Sequence, residues 1–317
     1  MDFGFLLYDS RSGSTLLSAL LNQYEGIHVS HEIKYVTQIL DYPTEIESAD
    51  DLEELLDHLF AFVQMKEAGI DRSALRKSLQ APMDKRALIE EVIGFHFRNH
   101  SNEFCLIKHA PIRYMDRLKE LFPELKYVHI VRDIRGVHAS KKKTISTYGR
   151  PMSTNVIKSA RYWNQKMQRI LMAKAPVHHV RYEDLLTDEE KTLNEVLALL
   201  GFNAPVRSGS VSDYSERIGG SQSSLHSNLA KGVLTSKAES WKKELTPNEI
   251  RSLERDCETM LGKWGYAPTK TKGTAVYPIF ILNECLVFAA ELFGNAAKSV
   301  FKGNFATRLN YFLGKGK

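Results

Sequence analysis

The sequence predicts an α/β domain, a parallel sheet flanked on both faces by helices, with a helical extension at its C-terminal side. Three observations carry this. Short, largely apolar runs at Phe3 to Tyr8, Glu103 to Ile107, Lys126 to Val131 and Val177 to Arg181 have the length and residue types of buried strands. Stretches of helical period separate most of them, which is the alternation of a parallel sheet with crossover helices. The 317 residues, 43% hydrophobic and 26% charged, suffice for one large core and exclude disordered and fibrous classes.

In chain order, the apolar run FGFLLY is followed by YDSRSGSTLL, where a loop of small residues with one arginine leads into a helix from Ser14 to Tyr24. A second strand is expected just before Glu32 in HVSHEIKYV. Further helices are expected over Asp50 to Lys66, Asp84 to Asn99, Ile112 to Phe122, Ile134 to Ser146, Thr154 to Ala173 and Asp188 to Leu200. The run SGSVSDYSERIGGSQSSLHSNLAKG, between Arg207 and Gly232, is rich in Ser and Gly and reads as a long loop of the kind that forms lids. A helix starting at Thr246-Pro247 and ending near Gly262 leads to KWGY, and PTKTKGT reads as a linker. The main domain is therefore assigned to residues 1–268 and the tail to 269–317.

Residues 276–293 of the tail, VYPIFILNECLVFAAELF, are strongly apolar but are broken by Pro278, Asn283, Glu284 and Glu291, so a membrane span is not expected. Lys298, Lys302, Arg308, Lys315 and Lys317 follow among Phe and Leu. The pattern fits either a helix packed on the domain or on a second subunit, or a helix lying on an anionic membrane surface.

Cys105, Cys257 and Cys285 form no CxxC pair, so neither a disulfide framework nor a zinc site is expected. The first residues read as a strand rather than a signal peptide, and a cytoplasmic location is expected. A net charge of +5 suits anionic small molecules or lipid headgroups; nucleic acid is not an expected partner.

A strand, a loop of small residues and a helix start form the arrangement in which backbone N–H groups and the helix dipole hold a phosphate. Gly13 permits close backbone approach, Ser12, Ser14 and Thr15 can add hydroxyls, and Arg11 supplies the charge. GxxxxGK[ST] is absent, which argues against a kinase or nucleotide phosphotransferase of the lysine-bearing type. After the strand KYVHIV come Arg132 and, within RDIRGVHAS, Ser140; a guanidinium at a strand end and a hydroxyl on the next helix can grip a second phosphate. Two such grips point to a bisphosphorylated nucleotide, bound by an enzyme or by a non-catalytic adaptor.

The ordered set RSGSTLL, VRDIRGVHAS, RYEDLL and LGKWGY, over about residues 3–266, resembles the sulfotransferase superfamily that uses 3′-phosphoadenosine 5′-phosphosulfate. The resemblance implies a three-layer P-loop-type fold and sulfuryl transfer to a hydroxyl of a carbohydrate, glycolipid or other small molecule. It implies that Arg11, Ser12, Gly13, Ser14 and Thr15 hold the 5′-phosphosulfate, that Arg132 and Ser140 hold the 3′-phosphate, and that no metal is required. Two bases compete: Glu32 looks like the catalytic glutamate of tyrosylprotein sulfotransferases, which carry an arginine in the first loop, and His109 in IKHAP resembles the histidine of cytosolic small-molecule enzymes. Lys108 resembles a lysine near the transferring group, and Arg11, at the helix mouth, is a catalytic candidate that can neutralise charge building on the departing phosphate. An ordinary histidine is already near the useful pKa and a carboxylate must be raised, yet the arginine loop favours Glu32. Lys231, Lys237 and Ser240 resemble a closing segment only in part. Glu183 and Asp184, on a strand end, are expected on opposite faces and are read as structural.

Overall fold

The structure is a computed structural model that describes residues 2–62, 65, 68–98, 103–145, 151–203, 205–209 and 238–300, with side chains as far as 293. Lys231, Lys237, most of the Ser/Gly-rich run and the basic residues from Lys298 onward lie outside the described residues and side chains. The chain forms two compact units, one of Met1–Val131 with Met172–Thr235, the other of Arg132–Leu171 with Ser236–Lys317.

The first unit holds the sheet. Strands β1 (Asp2–Tyr8), β2 (Ile27–Glu32), β3 (Phe104–Lys108), β4 (Lys126–Val131) and β5 (Val177–Arg181) are all parallel, in the order β2-β3-β1-β4-β5. Phe5, Leu6, Leu7, Leu106, Ile107, Val128 and Ile130 are fully buried, as expected of central strands covered on both faces. The expected α/β fold is thus the one observed, and β1 occupies the centre, so the loop after Tyr8 opens at the carboxyl edge between β3 and β4.

Helices α1 (Ser14–Leu21), α2 (Tyr35–Asp41), α3 (Ala49–Phe60), α4 (Arg72–Ser78), α5 (Lys85–Phe97) and α6 (Met115–Leu121) complete this part of the unit. The start of α3 is a capping box between Ser48 and Asp51, while Asp71 and Asp84 cap α4 and α5. Helices α2 and α4 were not expected; at seven residues each they are too short to show a period, and their few apolar residues are held by tertiary burial. After β5 comes another unexpected helix, α9 (Tyr182–Thr187), in place of the strand end inferred for Glu183 and Asp184. Both acids occupy its first turn, where the helix dipole favours them. The signal was the spacing of the buried Tyr182, Leu185 and Leu186. Glu189–Leu200 forms α10, capped by Asp188.

The second unit contains α7 (Ile134–Lys143), α8 (Val156–Met172), α11 (Trp241–Glu244), α12 (Pro247–Lys263) and α13 (Tyr277–Val300). Trp163 is wholly buried in its core, and Thr246 with Glu249 forms the capping box that opens α12 before Pro247. Arg135 is its polar centre. Its guanidinium meets Asp133 at 2.6 Å and Glu254 at 2.5 Å, donates to the Ala267 carbonyl at 3.1 Å and lies 4.2 Å from the centre of the Trp241 ring. Arg135→Ala is expected to cost about 3–5 kcal/mol in urea unfolding, since it strands the buried Asp133 carboxylate and removes a partner of the part-buried Glu254, and Arg135→Lys should recover only part because it lacks the planar fork. A loss below about 1 kcal/mol would refute this structural role.

Candidate active site

The loop after β1 is shaped by two left-handed residues, Arg11 at φ 72° and Gly13 at φ 97°. Glycine tolerates that conformation and arginine pays for it, so the strain at Arg11 marks a loop whose geometry the surroundings enforce. At Gly13 there is also no room: a β-carbon would lie 2.3 Å from the Tyr182 ring. Helix α1 starts at Ser14 with no side chain capping it, leaving its first-turn N–H groups to face the loop. Ser12 is buried, and its Oγ has no hydrogen-bond partner among the described residues. A buried orphan hydroxyl beside an uncapped helix start is a site that an anion would satisfy.

The cations come from the same sheet edge. Lys108 ends β3, pairs in register with Glu32 at the end of β2, and is buried. Its Nζ donates to Thr15 Oγ1 at 3.0 Å and lies 5.9 Å from the centre of the Tyr8 ring, while its backbone N–H donates to Ser30 Oγ at 3.0 Å. Burial lowers the Lys108 ammonium to about 8; Glu32 opposes the shift and Arg11 adds to it. Arg11, Thr15, Lys108 and Glu32 therefore form one electrostatic group.

Glu32 is the last residue of β2 rather than a residue beyond it, and a register shift between Val29 and Glu32 re-aims this end of the strand. Its carboxylate is part-exposed and lies 3.5 Å from Lys34 Nζ. His109 is buried, 3.3 Å from Thr37 Oγ1 through Nε2, with its ring edge-on to Phe5. Burial pushes it down to about 4, against the pull of Glu32 and with the help of Lys34. His109 is thus a neutral imidazole as weakly basic as an ordinary carboxylate, and the head start granted to it from the sequence disappears. His31 is likewise lowered, by burial first and by the Lys108 charge second.

Arg132 and Ser140 belong to the second unit. Arg132 is buried immediately after β4, and Gly136 makes room for it: a β-carbon there would lie 2.9 Å from the Arg132 Nε. Asp133 caps α7 and is gripped by Arg135 through both carboxylate oxygens. Ser140 lies in the later part of α7 at intermediate exposure.

A profile of the Sulfotransferase family matches residues 9–205, well over half of the chain. The chain belongs to the sulfotransferase family. This sulfotransferase is also similar to protein-tyrosine sulfotransferase 1 of Danio rerio, with 25% identity over 197 residues, 60% of this chain and 50% of that protein. It therefore spans about half the length of that relative. Among solved structures it is similar to the sulfotransferase domain from the curacin biosynthetic pathway, with TM-score 0.54, 19% identity, and coverage of 84% of this chain and 98% of that one. The sulfotransferase domain of the Synechococcus PCC 7002 olefin synthase is similar to the same degree, with TM-score 0.53, 21% identity, and coverage of 84% and 95%. At these identities the two structures bear on the fold, and they agree with the P-loop-type sheet described above.

The fold gathers Arg11, Ser12, Gly13, Ser14, Thr15, Glu32, Lys108 and His109, the candidates named from the sequence, at the ends and following turns of β1, β2 and β3. The residues that position them were not named from the sequence. Ser30 anchors the Lys108 backbone, Thr37 meets His109, and Tyr182 packs on Gly13. None stands in a motif of its own; Tyr182 alone had a signal, its place at the head of RYEDLL.

Proposed function

We propose that this sulfotransferase moves a sulfuryl group from 3′-phosphoadenosine 5′-phosphosulfate to a hydroxyl of a carbohydrate, glycolipid or other small molecule. The observation that carries the reading is the cradle of Ser12, Gly13 and the uncapped start of α1, with Arg11 and Lys108 beside it. Its donors are N–H, hydroxyl and cation, the set that fits a phosphosulfate. The donor, when bound, supplies a neutral SO3 unit on a phosphate leaving group. Arg11, with the N–H groups of Ser14 and Thr15, holds the anionic end. Lys108, fixed by Thr15, meets charge building on the departing oxygen. Glu32 takes the acceptor proton, being part-exposed and so open to an incoming hydroxyl. On the sequence resemblance Arg132 and Ser140 hold the 3′-phosphate.

Protein tyrosine is a second reading of the acceptor, favoured by the name of the Danio rerio relative. The free thiols of Cys105, Cys257 and Cys285 support a reducing, cytoplasmic setting.

The test is calorimetric titration with 3′-phosphoadenosine 5′-phosphate, using ATP as comparison. Arg132→Ala should weaken binding by about 1.5–3 kcal/mol, one to two decades in Kd. A preference for ATP, or affinity indifferent to Arg132, would reject the donor assignment.

A further inference from the structure

Helix α13 is held to the second unit along one side. Glu284 accepts the Val156 N–H at 2.7 Å, Asn155 donates to the Glu284 carbonyl at 2.8 Å, and Lys158 pairs with Glu291. Arg251 lies 4.7 Å from the centre of the Tyr277 ring, and Phe288 is buried. Tyr277, Glu284, Phe288 and Glu291 recur at helical spacing and define the inward face.

The outward face is apolar. Ile279, Leu282, Leu286 and Phe293, at i, i+3, i+7 and i+14, form one stripe with exposures of 70%, 60%, 62% and 77%. Single exposed apolar residues need no explanation, but a continuous stripe on a docked helix does. Among the described residues no helix is long and apolar enough to cross a membrane.

Charge identifies the occupant. Past Glu291 the sequence to residue 317 has no acidic residue and carries Lys298, Lys302, Arg308, Lys315 and Lys317. The whole chain has 43 basic and 38 acidic residues, so these five account for its entire net charge of +5. A second copy of this chain would bring five more cations, and like charges repel; an anionic lipid surface attracts them. An exposed apolar stripe combined with a wholly basic, Phe- and Leu-bearing continuation is the chemistry of a helix seated in the headgroup region of a bilayer.

We propose that α13 docks this enzyme peripherally on an anionic membrane surface, through Ile279, Leu282, Leu286 and Phe293. The test is co-sedimentation of the full chain with phosphatidylcholine vesicles, with and without phosphatidylserine, at low and high salt. Binding should require phosphatidylserine and weaken with salt. Leu282→Ser with Leu286→Ser should reduce partition about tenfold or more. Lys302→Glu with Arg308→Glu should abolish the phosphatidylserine dependence while leaving the stripe intact. Unchanged circular dichroism and melting would show that both variants fold. Equal binding to neutral vesicles overturns the proposal. So does light scattering that finds a dimer which the serine pair dissociates and which ignores vesicles.

Discussion

Lys108→Met is expected to lower kcat by about 10²–10³-fold while leaving the protein at least as stable as before. The two effects have one cause. Burial holds the ammonium at about 8, below its ordinary 10.5, so the folded protein carries this cation at a cost that a methionine avoids. The linkage has a definite sign. Between about 8 and 10.5 the unfolded chain keeps the proton longer than the folded one, so this group makes stability rise as pH increases through that window, and it disfavours folding below it. Activity is expected to run the other way, because the proposed reaction uses a cation beside the loop. In the wild type kcat/KM should fall as pH passes about 8, and Lys108→Arg should move that alkaline limb upward by keeping its charge. A full pH–rate profile together with thermal melting checks both. An alkaline limb that Lys108→Arg leaves in place would assign it to another group, and a large loss of melting temperature in Lys108→Met would make the lysine structural.

The second large effect concerns the base. Glu32→Gln should cut kcat by about 10²–10⁴-fold with nucleotide affinity unchanged, and His109→Gln should cost far less. Held at about 4 by its buried position against Phe5 and Thr37, His109 offers no more driving force for proton removal than a carboxylate. It is also enclosed, whereas the Glu32 side chain keeps 38% of its surface open. The same substitution carries a second readout. Because the Glu32 charge props up the Lys108 pKa, its loss should shift the alkaline limb to lower pH. Single-turnover kinetics and the pH profile of Glu32→Gln decide the matter; activity near wild type in Glu32→Gln with collapse in His109→Gln would transfer the role to the histidine.

Much of this protein was legible before folding was considered. The strands β1, β3, β4 and β5 announce themselves as short apolar runs, because a parallel strand buried on both faces must be apolar at nearly every position. The loop Asp9 to Gly13 was legible for a related reason: only small residues and glycine suit a chain that turns sharply into a helix start. Long helices such as α8 and α12 showed their period, and Thr246 with Glu249 marked a beginning. Short elements were hidden, since the seven residues of α2 or α4 form less than two full turns and are stabilised by what they pack against.

The fold class, the small-residue loop before α1 and the identity of the candidate groups were all readable in the sequence, because each depends on local residue type and order. Tertiary structure alone decided their chemistry. Lys108 and Glu32 stand opposite each other only because β2 and β3 are neighbours in register, and a shift in that register sets the aim of Glu32. Burial, a property of the assembled sheet edge, took the ammonium of Lys108 and the imidazole of His109 down from their ordinary values. A pKa is set by the dielectric and the charges around a group, and residues from separate strands and helices supply both.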